Sequence, residues 1–357
     1  MVETAIVLQG GGALGAYEYG VLRALYEQRP GFRPVAVAGV SIGAITAAVL
    51  GGAKGDPIAA LDTLWRRKLT VGAPPGVPAV VDRSLALLGN PGMYQLHAGM
   101  FTAPWALTSV YDTAPLRATL AELVDPTRLN APDPQVIVGA TNVANGEMTF
   151  FDRDLTFEHV AASGSLPPSF PMTRIGTEAY WDGGLFSNTP LSPAIEALER
   201  AGDGDRAVER ELIVVELFAM RSAVPTTMQD VVQRMVQLQY TSRLTLNARF
   251  FDRIARVVDL VDRVDAALPE GSDIRDDPTY RRVRAYRRVD HLNVVTSSLP
   301  PELSNAGDFS RASVEARIQA GYDDAISQGI GDPSAPQLRF GVTGAAATST
   351  PVADRAS

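Results

Sequence analysis

Gly39-Val40-Ser41-Ile42-Gly43 decides how this chain is read. It follows an apolar run, Val35-Ala36-Val37-Ala38, and opens a small-residue helix, Ala44-Ile45-Thr46-Ala47-Ala48-Val49-Leu50. Strand, sharp turn, helix is the context in which G-x-S-x-G carries a nucleophilic serine. A serine on such a turn has a strained backbone, and Gly39 and Gly43 fit the crowded positions two residues to either side. The helix beyond aims its first N–H groups and positive dipole end at any oxyanion formed beside Ser41.

A second glycine cluster lies upstream. Thr4-Ala5-Ile6-Val7-Leu8-Gln9 reads as a buried strand and runs directly into Gly10-Gly11-Gly12-Ala13-Leu14-Gly15. Tyr17, Val21, Leu22, Leu25 and Tyr26 then repeat at helical spacing. Gly10, Gly11 and Gly12 leave backbone N–H groups uncovered by side chains, which suits close approach to an anion or oxyanion. The same letters satisfy G-x-G-x-x-G, a dinucleotide fingerprint. That reading also wants an acidic residue about 20 positions on, closing the second strand, and here the second strand closes on Ala38-Gly39 and the serine turn. A purely structural glycine turn is the other alternative.

A third piece lies far downstream. Ala179-Tyr180-Trp181-Asp182-Gly183-Gly184 puts a carboxylate at the end of a short strand. Asp-Gly alone is an ordinary turn signal. Beside Ser41 and the triple glycine it acquires a second reading, an Asp182 carboxylate within reach of a serine hydroxyl, with Gly183 and Gly184 making the tight turn.

Together these pieces resemble the patatin-like phospholipases. That family has a glycine-rich oxyanion loop after the first strand, G-x-S-x-G after the second, and a D-G-[GA] aspartate. Gly10-Gly11-Gly12, Gly39 to Gly43 and Asp182-Gly183-Gly184 match in that order. Ala161-Ala162-Ser163-Gly164-Ser165-Leu166-Pro167 is similar to the family's Ala-Ser-x-x-x-Pro segment. The resemblance covers residues 4 to about 220. It implies a three-layer α/β/α fold with a mostly parallel sheet, and a serine acyl-ester hydrolase of lipid with Ser41 as nucleophile and Asp182 as base. It places the oxyanion hole at Gly10, Gly11 and Gly12, helped by Ile42; no His/Cys cluster has metal-ligand spacing and the scattered acids make no EF-hand loop, so neither a metal nor a cofactor is expected. Many members carry Arg or Lys where this chain has Leu14, and an acid where it has Gln9; Leu14 can supply no cationic contact.

A dyad asks Asp182 to take the Ser41 proton directly. An unperturbed Asp, with a pKa of about 3.9, is a weak base at pH 7; burial beside Trp181 would raise it. The competitor is a triad. The chain has three histidines, His97, His159 and His291, and the order Ser41, Asp182, His291 copies the Ser…Asp…His order of α/β-hydrolases. A carboxylesterase for soluble esters using His291 is therefore one alternative, and a catalytically silent lipid-binding module on the same scaffold is another.

Composition bounds the setting. The chain has 357 residues, 46% hydrophobic, with no cysteine and a net charge of −8. It reads as one elaborated α/β domain. The negative charge argues against nucleic acid and against simple electrostatic attraction to anionic lipid. No basic n-region or secretory h-region precedes the first strand, and no 18-residue apolar span occurs. The expectation is a cytoplasmic protein with at most peripheral membrane contact and a lipid or acyl-ester partner.

The remaining chain divides as follows. Residues 4–220 are the catalytic core, with a proline-broken apolar insert at 72–112 (Leu85, Leu87, Leu88, Met93, Tyr94, Met100, Phe101, Trp105) that either lines an acyl groove or fills the core. Gln135–Asn142 and Glu147–Phe151 read as a hairpin at the sheet edge around Asn145-Gly146. Residues 221–340 are a helical elaboration that returns to the core with a strand near 291–296 and a helix over about 310–328. Within it, Met228, Val231, Val232, Met235 and Leu238 repeat at helical spacing. A stripe of this kind more often packs on its own core than on lipid. Residues 345–357 are expected to be a disordered tail.

Overall fold

Val136-Ile137-Val138-Gly139-Ala140 is apolar without alternation, the signature of a strand buried on both faces. It lies in the middle of the sheet and organises the site. The computed structural model describes residues 2–72, 88–201, 208–218, 224–241, 244–332 and 338–339. The insert residues Leu85 and Leu87 and the expected tail at 345–357 lie outside them.

The strands, numbered in chain order, are β1 (Val2–Leu8), β2 (Ala36–Val40), β3 (Gly89–Asn90), β4 (Tyr94–Leu96), β5 (Tyr111–Asp112), β6 (Gln135–Asn142), β7 (Met148–Phe151), β8 (Thr173–Ile175), β9 (Glu178–Asp182), β10 (Glu209–Glu216), β11 (His291–Thr296) and β12 (Leu338–Arg339). The helices are α1 (Gly15–Gln28), α2 (Ile42–Gly52), α3 (Pro57–Thr63), α4 (Ala114–Leu123), α5 (Pro126–Leu129), α6 (Phe157–Ser163), α7 (Leu191–Arg200), α8 (Met228–Tyr240), α9 (Leu244–Ala267), α10 (Pro278–Ala285) and α11 (Arg311–Ser327).

The main sheet runs β12-β11-β10-β1-β2-β6-β9-β8, with β7 on the free side of β6. The pairs β11-β10, β10-β1, β1-β2 and β2-β6 are parallel; β12, β7, β9 and β8 join antiparallel. One face buries Ile6, Leu8 and Val37 under α1, α2 and α11, and the other buries Ala5, Val7 and Ala38 under α7. The result is the expected three-layer, mostly parallel α/β fold. The hairpin is half at the edge: β7 is an edge strand, while β6 is interior. Its interior place has a physical reason. β2 leaves the sheet at Val40, opposite Gly139, and β9 takes over the vacated side of β6 from Ala140 onward.

Within the described part of the 72–112 segment, residues 88–112, lies a small three-stranded sheet, β3-β4-β5. Met93 and Tyr94 from it are buried, whereas Phe101 and Trp105 are more than 80% exposed. Helix α8 departs from the ordinary reading, whereas α9 buries Ala255 and Val258. Met228, Val232, Met235 and Leu238 on α8 are each more than half exposed, so this apolar stripe covers no core of its own. Among the described residues no helix is long and apolar enough to cross a membrane.

Candidate active site

Two adjacent residues of one strand bring the serine and the aspartate together. Val40 pairs with Gly139 of β6, and Asp182 pairs with the next residue, Ala140. β2 ends one residue before Ser41 and β9 ends on Asp182, so both candidate side chains emerge at the same point of the sheet. Ser41 Oγ donates to Asp182 Oδ2 at 2.6 Å.

The turn that carries Ser41 is strained as its sequence predicts. Ser41 has φ 56° and ψ −122°, a region that L-residues occupy only when their surroundings impose it. A methyl group on Gly39 would lie 2.2 Å from the Gly43 carbonyl oxygen, and one on Gly43 would lie 2.5 Å from that of Leu8. Ser163 holds the turn from below: its Oγ accepts from the Ser41 N–H at 2.9 Å and donates to the Gly139 carbonyl at 2.6 Å. Ser163 was legible only as part of the Ala-Ser-x-x-x-Pro resemblance, and nothing local in its sequence assigns it this task.

Asp182 is 2% exposed. Its Oδ1 accepts from the Gly184 N–H at 2.8 Å, and its own N–H donates to the Ser165 carbonyl at 3.0 Å. Burial pushes its carboxyl up to about 6, against the opposing pull of the Ser41 and Gly184 hydrogen bonds. The Tyr240 phenol at the end of α8 is raised as well, first by burial and then by the Asp182 charge.

Gly10, Gly11 and Gly12 line the same cavity as Ser41 and Asp182. Gly12 has φ +55°, and a methyl group on it would strike the Ala306 carbonyl oxygen at 2.5 Å. The next two N–H groups are engaged, Ala13 with Ala306 and Leu14 with Gly11. Ile42 begins α2 with its side chain buried; that side chain packs under Gly15, and Ile42 is not among the residues described as lining the cavity. Leu14 is core. A guanidinium nevertheless reaches this loop from α11. Fully buried Arg317 donates to the carbonyls of Leu303, Asn305 and Asp308, and at 3.4 Å to that of Ala13.

The cavity holds 410 Å³ and is walled by Met93, Tyr94, Tyr111, Phe170, Phe218, Val236, Tyr240 and Phe309. Most of the wall is apolar or aromatic, as the walls of ligand pockets generally are. It draws on the 72–112 segment, α8 and the loop before α11, so both sequence elements of undecided role contribute.

None of the three histidines is described as part of this wall. His97 caps the turn at Ala98–Phe101, and His159 caps α6 and packs on Phe151 at 4.5 Å between ring centroids. His291 sits opposite Glu211, itself opposite Thr4, whereas Gly39 sits opposite Leu8. At about 3.3 Å per residue this puts His291 more than 13 Å below the serine along the strand direction, with two strands between β11 and β2. Its Nε2 lies 3.2 Å from Glu209. The triad alternative fails on this register.

A family model described as patatin-like phospholipase matches residues 6–195, more than half of the chain. The chain belongs to the patatin-like phospholipase family. A second family model, described as patatin phospholipase, matches residues 238–328. No curated protein matches. Among solved structures, VipD from Legionella pneumophila is 16% identical with a TM-score of 0.39, the alignment covering 91% of this chain and 66% of that one. This chain therefore spans just under two thirds of the length of VipD.

Proposed function

We propose that this patatin-like protein hydrolyses acyl esters of lipids through a Ser41–Asp182 dyad and an acyl-enzyme. The observation that carries the reading is the 2.6 Å hydrogen bond from Ser41 Oγ to a buried carboxylate. Ser41 Oγ bonds to the ester carbonyl carbon as its proton passes to Asp182. The oxyanion so formed faces the N–H groups of Gly10 to Gly12, with the first N–H of α2, at Ile42, as a further donor. Collapse expels the alcohol, which takes the proton back from Asp182. Water then repeats the sequence on the acyl-enzyme and releases the acid.

The raised carboxyl of Asp182 suits both halves of this cycle. At about 6 it is a stronger base than an ordinary aspartate, yet ionised at neutral pH. The dinucleotide reading of the glycine loop finds no support, because Gly10 faces the serine: a methyl group on it would lie 2.9 Å from Ser41 Cβ.

Peripheral contact with a lipid surface belongs to the same reading. Val236 and Tyr240 of α8 line the cavity while Met228, Val232 and Met235 face outward and are exposed. An apolar stripe beside the mouth of an acyl site fits the interfacial region of a bilayer.

Hydrolysis of short and long p-nitrophenyl esters tests the dyad. Ser41→Ala and Asp182→Asn should each lose about a thousandfold or more in kcat, while His291→Ala stays near wild type. A wild-type protein inactive on esters and on phospholipid vesicles would instead favour the silent lipid-binding module.

A further inference from the structure

The segment after Asp182 and the Gly183-Gly184 turn runs from Leu185 to Pro190. In the structure it is a joint. Asn188 Nδ2 donates to the Gly10 carbonyl at 2.9 Å and to the Tyr240 carbonyl at 3.1 Å. Both partners are carbonyl oxygens and can only accept, so the amide nitrogen must face them and Oδ1 must point elsewhere. Oδ1 packs on the two glycine loops: methyl groups on Gly10 and Gly184 would lie 2.4 Å and 3.0 Å from it. One amide thus touches the loop of the glycines, the loop of the aspartate and the last turn of α8. A second stitch runs beside it. Gln9 Nε2 donates to Thr189 Oγ1 at 2.7 Å, and Gln9 Oε1 accepts from the Leu217 N–H at 2.8 Å.

The Gly10–Gly11 peptide is a planar trans unit whose C=O and N–H point in opposite directions. Fixing the Gly10 carbonyl therefore fixes the Gly11 N–H. A Gly-Gly unit has little conformational preference of its own, so its orientation must be imposed from outside. Asn188 imposes it, and shares the same nitrogen with the end of α8, the helix that walls the cavity through Val236 and Tyr240.

We infer that Asn188 is a positioning residue that sets the Gly10–Gly11 peptide, and with it an oxyanion donor, according to how α8 is seated. The inference rests on the serine-hydrolase reading. Seating of α8 against the cavity supplies the Tyr240 carbonyl, which holds the Asn188 amide in the rotamer that grips Gly10. Displacement of α8 removes that hold, so acyl-chain entry and alignment of the donor are linked through one side chain.

The test uses the full chain and a short, monomeric p-nitrophenyl ester. Wild type, Ser41→Ala, Asn188→Ala and Asn188→Asp are compared for kcat, KM and affinity for a trifluoromethyl ketone, whose adduct with the serine places an oxyanion at the glycine loop. Asn188→Asp keeps the shape and, ionised, can only accept. In both Asn188 variants kcat should fall roughly tenfold to a hundredfold, less than the ~10²–10³ for deleting a donor outright, with KM within about twofold. Ketone affinity should fall by the same factor as kcat/KM, because it reports transition-state stabilisation. Hydrogen exchange should rise in Gly10–Leu14 and in the last turn of α8 together. A role in folding alone would lower the melting temperature and leave kcat and ketone affinity of the folded protein unchanged, and that result overturns the inference. So does faster exchange confined to residues 185–190. An active Ser41→Ala would overturn the serine reading and this inference with it, whereas inactive Ser41→Ala beside unimpaired Asn188 variants would overturn the inference alone.

Discussion

Asp182 is held in a state that costs the fold stability and serves the proposed chemistry. Its folded carboxyl titrates near 6, above the value of about 3.9 for an unfolded aspartate. The folded protein therefore binds the proton more tightly, and the stabilising contribution of protonated Asp182 is complete below about pH 4 and lost as pH rises through 6. Two pKa units correspond to about 3 kcal/mol. Asp182→Asn should accordingly melt higher than wild type at pH 8, by roughly 1–2 °C per kcal/mol recovered, and the advantage should vanish near pH 4. A thermal melt at the two pH values checks it. The same group sets the activity profile: kcat/KM should rise through an apparent pKa near 6 and then level off, since the base must be ionised. A profile governed only by a group titrating above 7 would contradict the assignment of Asp182. Gly12 is a second residue with a single tolerated identity. Gly12→Ala adds a Cβ 2.5 Å from a backbone oxygen at φ +55°, and activity should fall at least tenfold even where the protein still folds, at the upper end of the usual 1–3 kcal/mol strain penalty.

Among the elements, the sheet separates stability from chemistry along its strands. Opposite the serine end, Glu211 of β10 is fully buried and accepts from both Nη atoms of Arg29 at 2.6 Å and 2.9 Å, from Thr4 of β1 at 2.8 Å and from Asn293 of β11 at 2.5 Å. Removing one partner of a buried pair typically costs about 3–5 kcal/mol. Glu211→Ala should show that loss in chemical denaturation while keeping wild-type kcat below its melting range. The elements that carry the proposed chemistry were legible in the sequence because each forces its own local geometry. The serine turn, the triple glycine and Asp182-Gly183-Gly184 are all compact signals of backbone crowding. What brings them together was not legible. Val40 and Asp182 meet through neighbouring residues of β6, and a long-range register has no local signature. Nor did Asn188 announce itself, since Asn-Thr-Pro is ordinary turn chemistry. The interior position of β6 could have been read from its unbroken apolar run.

At the scale of the whole molecule, periodicity gave α8 an apolar face but not what covers that face. A stripe facing protein and a stripe facing lipid have the same spacing; only the tertiary fold leaves Met228, Val232 and Met235 exposed. With a net charge of −8, attraction to a bilayer must come from apolar burial and not from lysine or arginine. Binding to uncharged phosphatidylcholine vesicles should therefore equal or exceed binding to anionic ones, with little dependence on salt. The double variant Val232→Glu, Met235→Glu should lose vesicle binding at least tenfold, since each exposed apolar side chain contributes about 1–2 kcal/mol when buried, and keep its kcat on a monomeric ester. The central claim remains the serine on its strained turn against a buried carboxylate, and one measurement tests it most directly. A long-chain fluorophosphonate is reacted with wild type, Ser41→Ala, Asp182→Asn and His291→Ala, and the labelled peptide is located by mass spectrometry. The account predicts one label per chain, on Ser41, at the same rate in His291→Ala, much slower in Asp182→Asn and absent in Ser41→Ala. Labelling at another residue, or its loss in a folded His291→Ala protein, would contradict the account.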